Sequence, residues 1–201
     1  MDDDMDRKKF FALLSHLTAG DITQVQLAYW LAKNAHREQE RDSGERYFEH
    51  PRDVAVTLIS HGVNDRDSVI MALLHDVVED TNTPFPVIIN LFGHEMWESL
   101  FLLSKVTPVF DPVTGQIFGR YKKTDDEYYA ELMKAKVSVK SVKCGDRLRN
   151  LQQMGESWPL EKQITYARHT IEKVLPLAQA TDLWFYEVLK AEVDKILAQV
   201  H

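Results

Sequence analysis

VIMALLHDVVEDT, residues 69–81, runs six apolar residues into a histidine and three carboxylates. Carboxylates are rarely buried without a positive partner, so an apolar helix that ends on His75, Asp76, Glu79 and Asp80 calls for a cation. His75 and Glu79 stand four apart, as do Asp76 and Asp80, which places each pair on adjoining turns of one helix face. Asp67 and Ser68 are suited to cap this helix, and the prolines of TNTPFP to end it.

The segments around it share the helical period. ITQVQLAYWLAKNAH, residues 22–36, aligns Ile22, Val25, Tyr29 and Ala32, and HPRDVAVTLISHG groups Val54, Leu58 and Ile59 before a glycine stop. Further helices are expected near 84–105, 125–154, 159–179 and 181–200. One stretch departs from the pattern: residues 107–124, TPVFDPVTGQIFGRYKKT, carry two prolines, two glycines and alternating Val, Ile and Phe, the signature of an irregular loop or short hairpin. No repeat or linker divides the chain. The expectation is an all-α, single-domain helical bundle with that one insertion, residues 1–20 forming a polar lead-in and leading helix and 21–201 the domain proper.

Composition agrees with a packed globule: 44% of the 201 residues are hydrophobic, with only eight Gly and seven Pro. A net charge of −7 gives no reason to expect nucleic acid or a membrane surface as partner, so an anionic ligand has to be met locally. The acidic start, MDDDMDRKKF, lacks the pattern of a secretory signal, and no apolar run approaches the roughly 20 residues of a membrane span. The lone Cys144 excludes a disulfide framework within the chain and any multi-cysteine metal site. These features point to a soluble protein of a reducing compartment, most simply the cytoplasm.

Four further residues can join His75 and Asp76. His50, in YFEHPRD, precedes Pro51, and proline favours the first helical position, so His50 is expected at a helix mouth. Asp146, in KCGDRLRNL, is expected mid-helix, with Lys143 three residues before it and Asn150 four after. Singly, each has an ordinary explanation: a His-Asp pair is common, and exposed ion pairs contribute little. Histidines 16, 36, 61, 94, 169 and 201 lack comparable company and are read as structural or exposed.

The order of the set is more informative than any member. His50, His75, Asp76 and Asp146 resemble the metal ligands of the HD superfamily of phosphohydrolases. The phrases GERYFEHPRDVAVTLI, ALLHDVVEDTNT and VKCGDRLRNLQQM resemble the three signature segments of the hydrolase domain of RelA/SpoT-type alarmone enzymes, over about residues 22–180. The resemblance, to a stand-alone small alarmone hydrolase similar to the metazoan SpoT homologue, implies removal of the 3′-pyrophosphate of guanosine tetra- and pentaphosphate with Mn²⁺. It implies metal ligation by His50, His75, Asp76 and Asp146, catalysis by Glu79 and Asp80, and substrate contacts from Arg41, Lys143, Asn150 and Tyr166. It also admits a homo-oligomer and functional pairing with an alarmone synthetase.

Two imidazoles and two carboxylates suit Mn²⁺, Fe²⁺ or Zn²⁺, and a bound divalent ion acidifies its water. Glu79 and Asp80, one turn on, are placed to orient that water or move a proton. Arg147 is expected to brace carboxylates, and Lys122 and Lys123 to reach the distal phosphate if the insertion folds over the site. Cys144-Gly145 and Arg149 depart from the family pattern, and glycine softens a helix by up to ~1 kcal/mol. Adenosine alarmones, the 2′-phosphate of NADPH and a catalytically idle binding module stay open as alternatives.

Overall fold

In the computed structural model, which describes residues 3–200, the VIMALL run closes helix α4 (Arg66–Leu74), where every residue from Ser68 to Leu74 is buried. Asp65 caps it, its side chain accepting from the Ser68 N–H at 3.0 Å, so the cap lies two residues before the expected Asp67. Asp65 is extended at ψ 155, the conformation a cap needs, whereas Asp67 is already inside the helix. His75 and Asp76 form a short joint, and the helical course resumes as α5 (Val77–Asp80).

Four helices precede and surround this joint: α1 (Asp3–Ala12), α2 (Ala19–Ala35), α3 (Glu49–Ser60) and α4 itself, with α2 and α3 packed on α4. Phe10 and Leu14, from the lead-in, are buried in the same apolar core as Tyr29 of α2. Met1, Asp2 and His201 lie outside the described residues.

The helix expected over 84–105 is two, α6 (Phe85–Phe92) and α7 (His94–Leu103), because Gly93 turns between them at φ 89. The helix expected over 125–154 likewise divides into α8 (Asp125–Lys134) and α9 (Val137–Gln153), with Ala135 and Lys136 extended between them. Beyond α9 come α10 (Leu160–His169), a π-helical turn at Thr170–Val174, α11 (Leu175–Gln179) and α12 (Leu183–Leu197). The insertion is a hairpin: β1 (Val106–Phe110) pairs antiparallel with β2 (Ile117–Lys122), with an irregularity between Val109 and Phe110. Among the described residues no helix is long and apolar enough to cross a membrane.

Helix α9 packs on α3, α4 and α12, and one position on it shows why a glycine is there. A Cβ on Gly145 would stand 3.2 Å from Leu58 Cδ2 and 3.5 Å from Val54 Cγ1 of α3. The propensity lost in the helix is therefore offset by close packing of α9 on α3 rather than spent on local softness.

Candidate active site

Three separated helices deliver their polar residues to one point. His50 sits in the first turn of α3, which begins at Glu49, two residues before Pro51; His75 and Asp76 form the α4–α5 joint; Asp146 lies midway along α9. Ligand atoms of His50, His75 and Asp76 all fall within 4.8 Å of one another. Asp146 Oδ1 stands 3.1 Å from His50 Nε2 and 3.7 Å from His75 Nε2, so it borders the same space.

Both imidazoles turn the same nitrogen inward. His75 Nδ1 lies 2.8 Å from the Ala72 carbonyl and His50 Nδ1 lies 3.4 Å from Gln153 Oε1, so each Nδ1 carries its proton outward. Gln153 is itself oriented by its amide donating to Asp53. His75 Nε2 is left buried without a hydrogen bond, although Asp76 Oδ1 lies only 3.2 Å away. A buried imidazole nitrogen facing two carboxylates fits a divalent cation, which would satisfy all of them at once.

The charges lean the same way. Burial pulls the His75 pKa down, but Asp76 and Asp146 more than offset it and raise it to about 9. Burial opposes ionisation of Asp146, and Lys143 with the two histidines overcomes it, holding the carboxyl well below the usual range. Without metal, His75 is therefore protonated at neutral pH, and a cation has to displace that proton. Calorimetric titration of Mn²⁺ at pH 7.5, in buffers of different ionisation enthalpy, is expected to show release of about one proton, with affinity rising towards pH 9. Binding without proton release would contradict this charge arrangement.

The remaining expected residues line the same cavity of about 400 Å³: Glu79, Asp80, Arg41, Lys143, Asn150 and Tyr166. Glu79 Oε2 accepts the Lys105 backbone N–H at 2.7 Å. Asp80 is raised to about 6, first by burial and then by the Asp76 charge. Lys143 Nζ is tied to Asp146 Oδ2 at 2.8 Å, so its charge meets a carboxylate before any ligand. Asn150 donates to Asp146 Oδ1 at 2.6 Å and accepts from Arg41 Nη2 at 2.9 Å, while Arg41 Nη1 is buried and unpartnered.

Two expectations are corrected. Arg147 does not brace a carboxylate: its guanidinium lies 4.0 Å from the centre of the Tyr166 ring and donates to Thr170 Oγ1 and Tyr129 Oη. Lys122 and Lys123 are absent from the cavity lining, and Lys123 Nζ is turned instead to Glu131. The hairpin is tied to the backbone beside the site through Arg120, whose guanidinium donates to the carbonyls of Glu79 and Thr81.

Residues 28–184 match the family model described as HD domain. The chain belongs to the HD-domain family. This HD domain is 36% identical over 177 residues to the guanosine-3′,5′-bis(diphosphate) 3′-pyrophosphohydrolase of Aquifex aeolicus (strain VF5), covering 86% of this chain and 23% of the relative. It is 32% identical over 167 residues to the bifunctional (p)ppGpp synthase/hydrolase SpoT of Escherichia coli (strain K12), covering 82% of this chain and 22% of the relative. It thus spans less than a quarter of the length of these relatives. A solved structure described by the words "A metazoan ortholog of SpoT hydrolyzes ppGpp and plays a role in starvation responses" superposes with a TM-score of 0.68 at 23% identity. That match covers 91% of this chain and 96% of the other, and it establishes the shared HD fold.

Sequence reasoning missed several cavity residues of the HD domain. Tyr47 bonds both Asp76 and Asp80, Gln153 orients His50, and Trp158 stands edge-on to Tyr166 with centroids 5.3 Å apart. Tyr47 sits three residues before His50, in the turn that leads into α3, and that proximity was the signal available. Gln153, seven residues after Asp146 and three after Asn150 on one helix face, carried the same kind of signal; nothing local in the sequence marks Trp158.

Proposed function

We propose that the chain is a metal-dependent 3′-pyrophosphohydrolase acting on guanosine tetra- and pentaphosphate, yielding GDP or GTP and pyrophosphate, with Mn²⁺ as the resident ion. The observation that carries this reading is the convergence of His50, His75, Asp76 and Asp146 with Glu79 and Asp80 on one cavity. The printed names of the relatives, one a 3′-pyrophosphohydrolase and the other a synthase/hydrolase, supply the substrate. The nitrogen and oxygen donor set without thiolate suits Mn²⁺, Fe²⁺ or Zn²⁺, and the family resemblance selects manganese.

A divalent ion held by those four residues would acidify a water towards neutral pH and draw off charge from the phosphoryl oxygens. Water adds to the phosphorus carried on O3′, the P–O3′ bond breaks, pyrophosphate leaves and O3′ gains a proton. Asp80, with its raised pKa, takes the proton of the water and returns it towards O3′. Glu79, held by the Lys105 N–H, orients the water. Arg41 and Lys143 meet the phosphoryl charge, and the unpartnered Arg41 Nη1 offers a donor already desolvated. Asn150 and Tyr166 contact the ribose or the phosphate beside it. This reading places the enzyme in the cytoplasm, opposing an alarmone synthetase.

The test is a panel of guanosine and adenosine 3′-pyrophosphates and NADPH, incubated with Mn²⁺ and analysed for products. Pyrophosphate release from guanosine tetraphosphate is expected. Orthophosphate release from NADPH in its place would overturn the substrate assignment, and no turnover at all would favour a binding module.

A further inference from the structure

Resting on the reading above, we infer that Tyr47 is a positioning residue that sets Asp80 against the metal-holding carboxylate Asp76, and that His36 holds the Tyr47 ring in place. The Tyr47 hydroxyl lies 2.9 Å from Asp76 Oδ2 and 2.8 Å from Asp80 Oδ2. Two carboxylates would otherwise repel; the phenol between them carries a single proton, donated to one of the two at a time, and so screens the pair while holding both oxygens within reach of one atom. Among the described residues Tyr47 is the hydrogen-bond donor that the Asp80 carboxylate meets, as the Lys105 N–H is for Glu79.

A hydroxyl can position only if its ring is itself fixed. The His36 ring stacks on Tyr47 with centroids 4.7 Å apart and planes 21° from parallel, and His36 is 1% exposed. Gln39 ties the assembly together: its side-chain oxygen meets His36 Nδ1 at 2.6 Å, its carbonyl accepts the Tyr47 N–H at 2.9 Å, and its amide donates to the Asp80 carbonyl at 2.8 Å. His36 is itself neither in the donor cluster nor in the cavity lining, and it acts on the site through the stacked Tyr47 ring and, by way of Gln39, the Asp80 carbonyl. Partners that orient metal ligands and proton-handling groups in this way typically matter by 10- to 100-fold in metal affinity or rate.

The test uses the full chain and the Tyr47→Phe variant, which keeps the ring and its stacking and removes the hydroxyl. With guanosine tetraphosphate and Mn²⁺, kcat is expected to fall about 10- to 100-fold with KM within about twofold. In an Asp80→Asn background the same change is expected to cost under about threefold, because the group being positioned no longer handles a proton. His36→Leu retains the hydroxyl and is expected to lower kcat by less than Tyr47→Phe, and to have no effect once Tyr47 is Phe. Mn²⁺ affinity, measured by calorimetry without nucleotide, is expected to weaken about tenfold in Tyr47→Phe and to hold in Asp80→Asn. If wild type leaves guanosine tetraphosphate intact, the proposed substrate fails, and the metal-affinity comparison still decides the role of Tyr47. Losses that multiply in the double variant, or a Tyr47→Phe protein within twofold of wild type in both metal affinity and kcat, would overturn the inference.

Discussion

His75→Ala is expected to bind no Mn²⁺ at concentrations that saturate the wild type, and to lose the proposed hydrolysis of guanosine tetraphosphate by about 10³-fold or more. His75 is the donor with the least alternative use. Its Nδ1 is committed to the Ala72 carbonyl, its Nε2 is buried without a hydrogen bond, and it sits between the carboxylates of Asp76 and Asp146. Removing the ring leaves those two carboxylates facing a gap, where they repel each other and take up protons before they hold a cation. The loss should therefore appear in calorimetric metal binding as well as in turnover. An inactive His75→Ala protein that still bound Mn²⁺ with wild-type affinity would remove this residue from the ligand set.

The Asp80→Asn substitution separates the chemistry from the metal. Asn keeps the shape and can still accept from the Tyr47 hydroxyl, but it cannot carry a proton. The expected result is a kcat lower by about 10² to 10⁴, with KM and Mn²⁺ affinity each within about twofold of wild type. Asp80 is a better proton carrier than Glu79 for a structural reason: the Glu79 carboxylate accepts a backbone N–H, whereas Asp80 is raised to about 6 by burial and the Asp76 charge. Near-normal turnover by Asp80→Asn would return that role to Glu79 or to solvent.

Much of the fold was readable because amphipathic spacing is a local property. The face of Val25, Tyr29 and Ala32, and that of Val54 and Leu58, are buried as their periods imply. The breaks were less visible. Gly93 lies inside an otherwise continuous apolar pattern, and Ala135-Lys136 contains neither Gly nor Pro, so only the packed structure separates α8 from α9. The π-helical turn at Thr170–Val174 was marked only by Pro176 just after it, whose missing N–H breaks the regular helical ladder there. Within the cavity, residues whose spacing follows one helix, such as Lys143, Asp146 and Asn150, could be grouped from the sequence. Partnerships formed across the chain could not: Arg120 with the Glu79 carbonyl is separated by 41 residues, and Arg147 with Thr170 by 23.

Gly145, which has no side chain to offer any ligand, bears on the spacing of the proposed metal site. It immediately precedes Asp146 and faces Leu58 and Val54 on the helix that begins with His50. A side chain there would press on Leu58 at 3.2 Å, and unless that side chain gives way the two helices that carry His50 and Asp146 have to part. The spacing of the proposed donors thus depends on a missing methyl group behind them, where no inspection of the donor atoms would look for it.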